Sequence, residues 1–293
     1  MKILILGGSG FIGTNLKKAL EAKGHSVVVA SLRQRHSGWE SELMRCDAVV
    51  NLAGEPIFGK RWNIDVKAAI YDSRVEGTRR VVTAMGAALK NGGGSCRTLV
   101  NASAVGYYGA TGPEALDENS PAGPDFLAFV CRDWEAEAMR AETEFGIRTA
   151  VVRTGIVLDR HGGALQKLWL PFSLGLGGPL GILRRGRQGF SWIHLEDIVG
   201  IYVHAIENSQ VRGPLNGTAP EVVSNGEFSK AFGRALHRPA LFPLPGPVLY
   251  AMVGEASHFL LTGQYVYPKR TLESGYAFRH PKLAPALENI VRS

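Results

Sequence analysis

The chain opens with Lys2-Ile3-Leu4-Ile5-Leu6-Gly7-Gly8-Ser9-Gly10-Phe11-Ile12-Gly13, and the reading of this stretch decides the fold. Lys2–Leu6 is an apolar run of strand length, and the glycines after it mark a turn. Beyond them Ile12, Leu16, Ala19 and Leu20 recur at helical spacing, and Gly24 stands where a helix ends in a left-handed residue. Ser26–Ala30, the run Ser-Val-Val-Val-Ala, then reads as a second buried strand. Strand, glycine turn, helix and strand within about 30 residues make a βαβ unit, which requires a parallel sheet and a right-handed crossover.

The alternation continues outward. Ala48–Leu52 is a strand ending in Asn51-Leu52-Ala53-Gly54, a helical pattern runs from Asn63 to Leu89, and Thr98–Ala102 is the next strand. Phe126–Phe145 is helical and closed by Gly146, and Arg148–Arg153 is a further strand. Little chain separates Ala30 from Ala48, so that crossover is short, with Trp39–Arg45 as its helical candidate. The pattern predicts an α/β class with a doubly wound parallel sheet. After Gly155 glycine and proline become frequent and the elements shorten.

Composition narrows the function classes. Of 293 residues 45% are hydrophobic, enough for a packed core, which excludes a disordered chain. Cys46, Cys96 and Cys131 are odd in number and scattered, with no Cys-x-x-Cys pair. Neither a disulfide framework nor a thiolate zinc site is expected, and a reducing compartment fits. The uncharged runs Leu168–Leu183 and Pro239–Gly254 are broken by Pro and Gly and fall short of the ~20 apolar residues of a membrane span. The apolar start before Gly7 is too short for a signal segment, so a cytoplasmic protein without membrane contact is expected. The net charge of +7 raises nucleic acid as a partner. The basic residues are dispersed, however, apart from Arg184-Arg185-Gly186-Arg187 and the looser Arg33 and Arg35, and no nucleic-acid-binding signature accompanies them. A phosphate-bearing small ligand is expected instead. The eight histidines are isolated along the chain and no His-Glu-x-x-His occurs, so no metal site is expected.

Gly7, Gly10 and Gly13 are spaced G-x-x-G-x-x-G between the first strand and the first helix. Such a turn lets backbone approach a pyrophosphate, while the helix N-terminus offers N–H groups and a positive dipole end. The end of the second strand selects the dinucleotide, an acid there bonding the 2′-hydroxyl of NAD and an arginine receiving the 2′-phosphate of NADP. Here it reads Ala30-Ser31-Leu32-Arg33-Gln34-Arg35, with no acid before Glu40. Arg33, helped by Ser31, favours NADP, with NAD the less favoured cofactor.

Further motifs extend along the chain: Asp72-Ser73-Arg74-Val75 with Gly77-Thr78, Ser103 followed by Tyr107-Tyr108-Gly109, and Arg153-Thr154-Gly155-Ile156-Val157-Leu158. Ser191-Trp192-Ile193-His194 with Asp197, and Asn216-Gly217-Thr218-Ala219-Pro220, complete the set. With Gly7–Gly13 and Asn51–Gly54, these resemble the extended short-chain dehydrogenases/reductases of the NAD-dependent epimerase/dehydratase group. Within that group they are similar to the sugar-nucleotide epimerase subgroup, family 39U, with its bacterial members of the YfcH type. The resemblance covers essentially the whole chain. It implies a Rossmann-type doubly wound sheet with a small C-terminal substrate lobe. Residues 1–155 would be the dinucleotide-binding core, and 156–293 the last sheet elements interleaved with the smaller lobe. By position it implies that Gly7, Ser9, Gly10, Phe11, Ile12 and Gly13 line the pyrophosphate turn. Asn51, Leu52, Ala53 and Gly54 would pass the ribose side, supported by Arg74 and Thr78, and Arg153, Gly155 and Val157 would lie at the nicotinamide end. Relatives often dimerise through two long helices, here Asn63–Leu89 and Phe126–Phe145, so a homodimer is the implied partner arrangement.

The resemblance also exposes a gap. Short-chain dehydrogenases place Tyr-x-x-x-Lys at the start of the helix after the fourth strand, the lysine lowering the tyrosine pKa for proton exchange. Those positions fall here on Phe126 and Val130, or on Leu127 and Cys131 if Glu135 matches the family's later helix carboxylate. The run Tyr265-Val266-Tyr267-Pro268-Lys269 has the spacing, but Pro268 would break a helix there. Ser103 remains as a catalytic candidate, although counting back from Tyr108-Gly109 lands on Ala104. Tyr107 or Tyr108 could supply a phenol, and Cys131 a weak acid. On the substrate side stand Tyr108, Arg187, Gln188, Trp192 and His194. Trp192 could stack on a ligand, and His194 is either a general acid/base or a structural histidine bonded near Asp197. Arg184, Arg185 and Arg187 could clasp a phosphate, and Arg61-Trp62 is placed at the cleft. Two functions follow: an NADP(H)-dependent oxidoreductase acting on an unidentified small carbonyl or hydroxyl compound, sugar-linked or not, or an NADP(H)-binding regulator of the cell- or organelle-division type that has lost its chemistry.

Overall fold

The computed structural model describes residues 1–33, 38–90, 94–181 and 186–292. The chain begins β1 (Lys2–Leu6), α1 (Phe11–Ala22), β2 (Ser26–Ala30), a one-turn α2 (Trp39–Glu42), β3 (Ala48–Asn51), α3 (Ile64–Lys90) and β4 (Thr98–Ala104). A turn at Val105–Tyr108 leads through β5 (Ala115–Leu116) to α4 (Phe126–Phe145), β6 (Arg148–Thr154), β7 (Ile156–Leu158) and α5 (Gly163–Ser173). Then come β8 (Gly189–Phe190), β9 (Trp192–His194), α6 (Leu195–Glu207), β10 (Gly213–Gly217), β11 (Val223–Ser224) and α7 (Asn225–Ala235). The chain closes with α8 (Gly246–Val253), α9 (Ser257–Thr262), β12 (Tyr265–Val266), α10 (Lys269–Glu273) and α11 (Leu283–Arg292).

Six of these strands form one parallel sheet in the order β10-β6-β4-β3-β1-β2. The strands are apolar without alternation because both faces are covered. Ile3 and Ile5 pack with α1 and α6 through Leu16, Leu20, Ile198 and Ile201. Leu4 and Leu6 point the other way, against Val81, Val82 and Met85 of α3 and Ala138 and Ala141 of α4. The crossover from β2 to β3 is short, as its length required, and its helix covers Trp39–Glu42 rather than reaching Arg45.

The later elements build a second core around Phe172, Phe190, Trp192, Phe228, Phe232 and Leu287. β10 leaves this lobe to become an edge strand of the central sheet, so the two parts are interwoven. Among the described residues no helix is long and apolar enough to cross a membrane.

Some cysteines and histidines that are scattered in the sequence meet in the fold. Cys46 and Cys96, far apart in the chain, join one buried cluster. His194 and His280 stack with ring centroids 3.7 Å apart, with Glu196 beside them.

Candidate functional site

The C-terminal ends of the sheet strands converge on a cleft, and each end contributes differently. At the end of β1, Gly7 has φ +80°, and a Cβ there would lie 2.8 Å from the Leu52 carbonyl carbon. A Cβ on Gly13 would meet the Gly8 Cα at 2.6 Å. Glycine is therefore required for the turn to lie flat between β1, β3 and α1. Gly10 is the N-cap of α1, with no side-chain cap and no acidic residue in the first turn. The helix thus starts with N–H groups that no side chain meets, an arrangement that suits a pyrophosphate. Phe11 lies with its ring against Gly162 and Gly163, at the start of α5.

At the end of β2, the Arg33 side chain is 73% exposed and pairs with Glu55 at 2.6 Å. The Ser31 hydroxyl accepts from the Arg33 backbone N–H at 3.2 Å. Arg80, which the sequence reading missed, donates to the Leu32 carbonyl at 3.4 Å. It lies one turn beyond Gly77, whose backbone packs near Leu32, and that i, i+3 spacing was the available signal. Gln34 and Arg35 lie outside the described residues, as do Arg184 and Arg185.

The end of β3 is held by its own polar side chain. Buried Asn51 donates to Thr78 at 2.9 Å and to Asn101 at 2.8 Å, and its Oδ1 accepts from the Ala53 N–H. Trp134 donates to the same Thr78 hydroxyl. Leu52 and Ala53 follow half-buried, and Gly54 faces the Arg74 guanidinium, which a Cβ would approach to 3.1 Å. Arg74 donates to the Glu55 and Ile70 carbonyls, and its guanidinium lies 5.3 Å from the Trp134 ring centroid. Burial lowers its pKa.

Where β4 and β6 end, the groups are linked inside the protein. Ser103 is 3% exposed and donates to Glu135 of α4 at 2.6 Å. Glu135 takes a two-point ion pair from Arg153, at 2.9 and 2.8 Å. Burial would lower the Arg153 pKa, but the Glu135 carboxylate outweighs it and raises the pKa. Arg153 also donates to the Tyr108 hydroxyl, which in turn donates to Asn216 at 2.7 Å. The Tyr108 phenol is pushed up to about 12, chiefly by burial. The Arg153 guanidinium further lies 3.5 Å from the Tyr107 ring centroid. Arg153 and Tyr108, expected at nicotinamide and substrate, are therefore internal braces. Tyr107 stays half-buried beside them.

Helix α4 starts under an Asp125 cap that accepts from the Ala128 N–H. Phe126, at one of the two positions expected for tyrosine, packs on Trp62 at 5.4 Å, and Trp62 packs on Phe259 at 5.5 Å. Arg61 reaches the Ala251 carbonyl. Cys131, at one expected lysine position, is pushed up to about 12 by burial, with Glu135, Arg74, Ala104 and Ser103 as its electrostatic and hydrogen-bonding neighbours. Among those neighbours the positive charge is Arg74, contributed by α3. Tyr265 and Lys269 do not share a helix: Tyr265 is in β12 and Lys269 begins α10.

In the second lobe the expected substrate residues separate. Arg187 is exposed and helps line a cavity of about 770 Å³ with Pro113, Pro179, Lys230 and Leu241. Gln188 is buried and donates to the Leu180 carbonyl, and its Oε1 has no partner among the described residues. Trp192 is 1% exposed and donates to the Glu221 carbonyl, so it is core rather than a stacking platform. The His194 Nδ1 accepts from the Glu196 N–H and caps α6, while Asp197 is bonded instead to Tyr276, Arg279 and His280. His194, Glu196 and His280 bring ligand-type atoms within 4.8 Å of one another. Because the Nδ1 lone pair of neutral His194 is used by the cap, its Nε2 carries the proton and offers a metal nothing.

This fold and turn define a class, and the comparisons agree: the chain belongs to the NAD dependent epimerase/dehydratase family, whose profile matches residues 3–216. A domain of unknown function, DUF1731, matches residues 244–290. The chain is similar to the epimerase family protein SDR39U1 of Bos taurus, 42% identical over 302 residues that cover 99% of this chain and 100% of the relative. It is also similar to the crystal structure of human epimerase family protein SDR39U1 (isoform2) with NADPH, at a TM-score of 0.88 and 40% identity, covering 100% of this chain and 99% of that one. A Thermus thermophilus UDP-glucose 4-epimerase complex with NAD has a TM-score of 0.77 at 18% identity, covering 100% of this chain and 98% of the other, and shares the fold.

Proposed function

We propose that the chain is an NADP(H)-binding, epimerase/dehydratase-like oxidoreductase acting on a small carbonyl or hydroxyl compound. The observation that carries the reading is the turn from Gly7 to Gly13, where an uncapped helix start meets glycines that leave no room for a Cβ. Its backbone N–H groups would hold the pyrophosphate, with Ser9, Phe11 and Ile12 lining the turn. Asn51 sets the path of Leu52, Ala53 and Gly54 along the ribose side. Arg33, Ser31 and Arg80 would surround the 2′-phosphate. The similar human protein with NADPH supports this choice over NAD. Arg33 would leave Glu55 to do so, a small loss because an exposed ion pair contributes about 0–1 kcal/mol.

The bound nicotinamide would supply or accept the hydride. Proton handling falls to the chain. Ser103 already donates to Glu135, so a substrate hydroxyl would pass its proton to Ser103 as Ser103 passes its own to the carboxylate. Arg74 would supply the positive charge that a helix lysine gives elsewhere. Arg187 and Lys230 would hold an anionic part of the substrate in the cavity they line. The stacked Tyr71 and Phe129, on the outer sides of α3 and α4, fit a homodimer through those helices.

A second reading rests on α4. Its start carries Phe126, Leu127, Val130 and Cys131, none of which exchanges a proton readily near neutral pH. On that reading the chain binds NADP(H) as a regulator without turnover. A fluorescence titration with NADPH and NADH tests the shared claim: tight NADPH and weak NADH binding is expected, and binding of neither overturns it. Adding metabolite extract then separates the readings, since oxidation of the bound NADPH means catalysis and its persistence in every extract favours the regulator.

A further inference from the structure

Cys46 and Cys96 lie just below β3 and β4, at the sheet edge opposite the cleft. The ladder pairs Ala48 with Thr98, so two residues earlier Cys46 and Cys96 stand opposite one another. The pairing continues down to them, because Arg97 donates its N–H to the Asp47 carbonyl and the Ser95 hydroxyl donates to the Cys46 carbonyl at 2.8 Å. Both side chains turn inward: each cysteine is 1–2% exposed, while Arg45, Asp47 and Arg97 beside them are exposed. Adjacent strands lie about 4.8 Å apart, inside the roughly 4.4–6.8 Å Cα range that a disulfide spans. The Cys46 thiol donates to the Leu43 carbonyl at 4.0 Å and the Cys96 thiol to the Thr98 carbonyl at 3.7 Å.

We propose that Cys46 and Cys96 are a redox-active dithiol that a hydroperoxide converts to a disulfide within the folded protein. Their neighbourhood makes the pair unequal: the nearby Cys96 lowers the Cys46 pKa, whereas the nearby Cys46 together with burial raises that of Cys96. Cys46 is accordingly the thiolate that attacks. Its sulfur takes the distal oxygen of the hydroperoxide, the O–O bond breaks, and an alcohol leaves with one proton. Cys96 then loses its proton and attacks the Cys46 sulfenic sulfur, forming the S–S bond as water leaves. Two thiols and one hydroperoxide thus give one disulfide, one alcohol and one water, the two electrons ending on the peroxide. Cys131, buried on α4 and outside the β3–β4 ladder, serves as an internal control.

The closed bond would tie residues 46 and 96 together around β3 and α3, the segment that carries Asn51–Gly54 and Arg74. The test is oxidation of the full chain with tert-butyl hydroperoxide, followed by alkylation in denaturant and non-reducing peptide mapping. A Cys46–Cys96 linked peptide, an alkylated Cys131 and a Tm raised by several degrees and returned by dithiothreitol are expected. Two alkylated peptides for Cys46 and Cys96, a bond to Cys131, or a disulfide found only after prior unfolding overturns the proposal. Cys96→Ser should abolish the link and leave Cys46 trapped by a sulfenic-acid reagent, whereas Cys46→Ser should leave Cys96 unreactive. Equal trapping in both variants overturns the assigned order of attack. The wild-type map stands even if either variant fails to fold.

Discussion

Where β1 runs into α1, the backbone presents N–H groups that no side chain caps, whereas where β4 and β6 end, the polar side chains are matched within the chain itself. The first region is polar without side chains, made of glycines and a helix start. The second is rich in side chains, with Ser103, Glu135, Arg153, Tyr108 and Asn216 joined in one buried network. Unmet donors at a surface cost little because water can reach them, and they are available to an anion. Buried charges have no such freedom and persist only when paired. The difference teaches that one end of the cleft is open to a ligand and the other is built to hold its shape.

The largest test breaks the second region. Glu135→Leu removes the partner of a buried Arg153 and leaves that guanidinium uncompensated, which costs about 3–5 kcal/mol. Chemical denaturation should show this loss, and Glu135→Gln should lose less because its amide oxygen can still accept. A Glu135→Leu protein as stable as the wild type would mean that the network is not a brace. Gly7→Ala strikes the first region. The φ of +80° alone costs a residue with a Cβ roughly 1–3 kcal/mol, and contact with the Leu52 and Ala53 backbone adds to it. Stability and NADPH binding should fall together. Unchanged binding in Gly7→Ala would break the comparison, because the turn would then not need its glycine.

Most of the first region was legible in the sequence, because its signal is local. Continuous apolar strands such as Ile3–Leu6 mark a sheet covered on both faces, and a glycine turn between a strand and a helix lies within a single stretch of chain. The second region was not, since Tyr108 meets Asn216 across 108 residues and Ser103 meets Glu135 across 32. Trp192 and His194 were open to misreading for another reason: a three-residue strand does not reveal which way its side chains point. The pairing of Cys46 with Cys96 was invisible until β3 and β4 were known to be neighbours in matching register.

Arg33→Ala sharpens the contrast within the receptive region. Its side chain is exposed and its ion pair with Glu55 adds little to folding, so Tm should barely move. Losing a charged hydrogen bond to a 2′-phosphate should weaken NADPH by about 1.5–3 kcal/mol, on the order of 10- to 100-fold, and leave NADH nearly unchanged. Isothermal titration with both nucleotides checks this, and equal weakening of the two would remove Arg33 from 2′-phosphate recognition and leave Arg80 as its replacement.

The smallest expected effect lies farther out, at the cap of α6. Burial, and then the neighbouring His280, lower the His194 pKa, while Glu196, Asp197 and Asp159 act in the opposite sense. The folded protein therefore holds His194 neutral where the unfolded chain would protonate it. A group protonated more readily when unfolded makes stability rise with pH, so this contribution is complete above the ordinary histidine range and is lost as pH falls through that range toward the folded value. His194→Asn keeps a side chain able to cap the helix and removes the titration. The decline in Tm between about pH 7 and 5 should be shallower in the variant than in the wild type. An identical slope would place the pH response elsewhere, and a large drop in Tm at all pH values would show that the stacked pair, rather than the cap, is what His194 contributes.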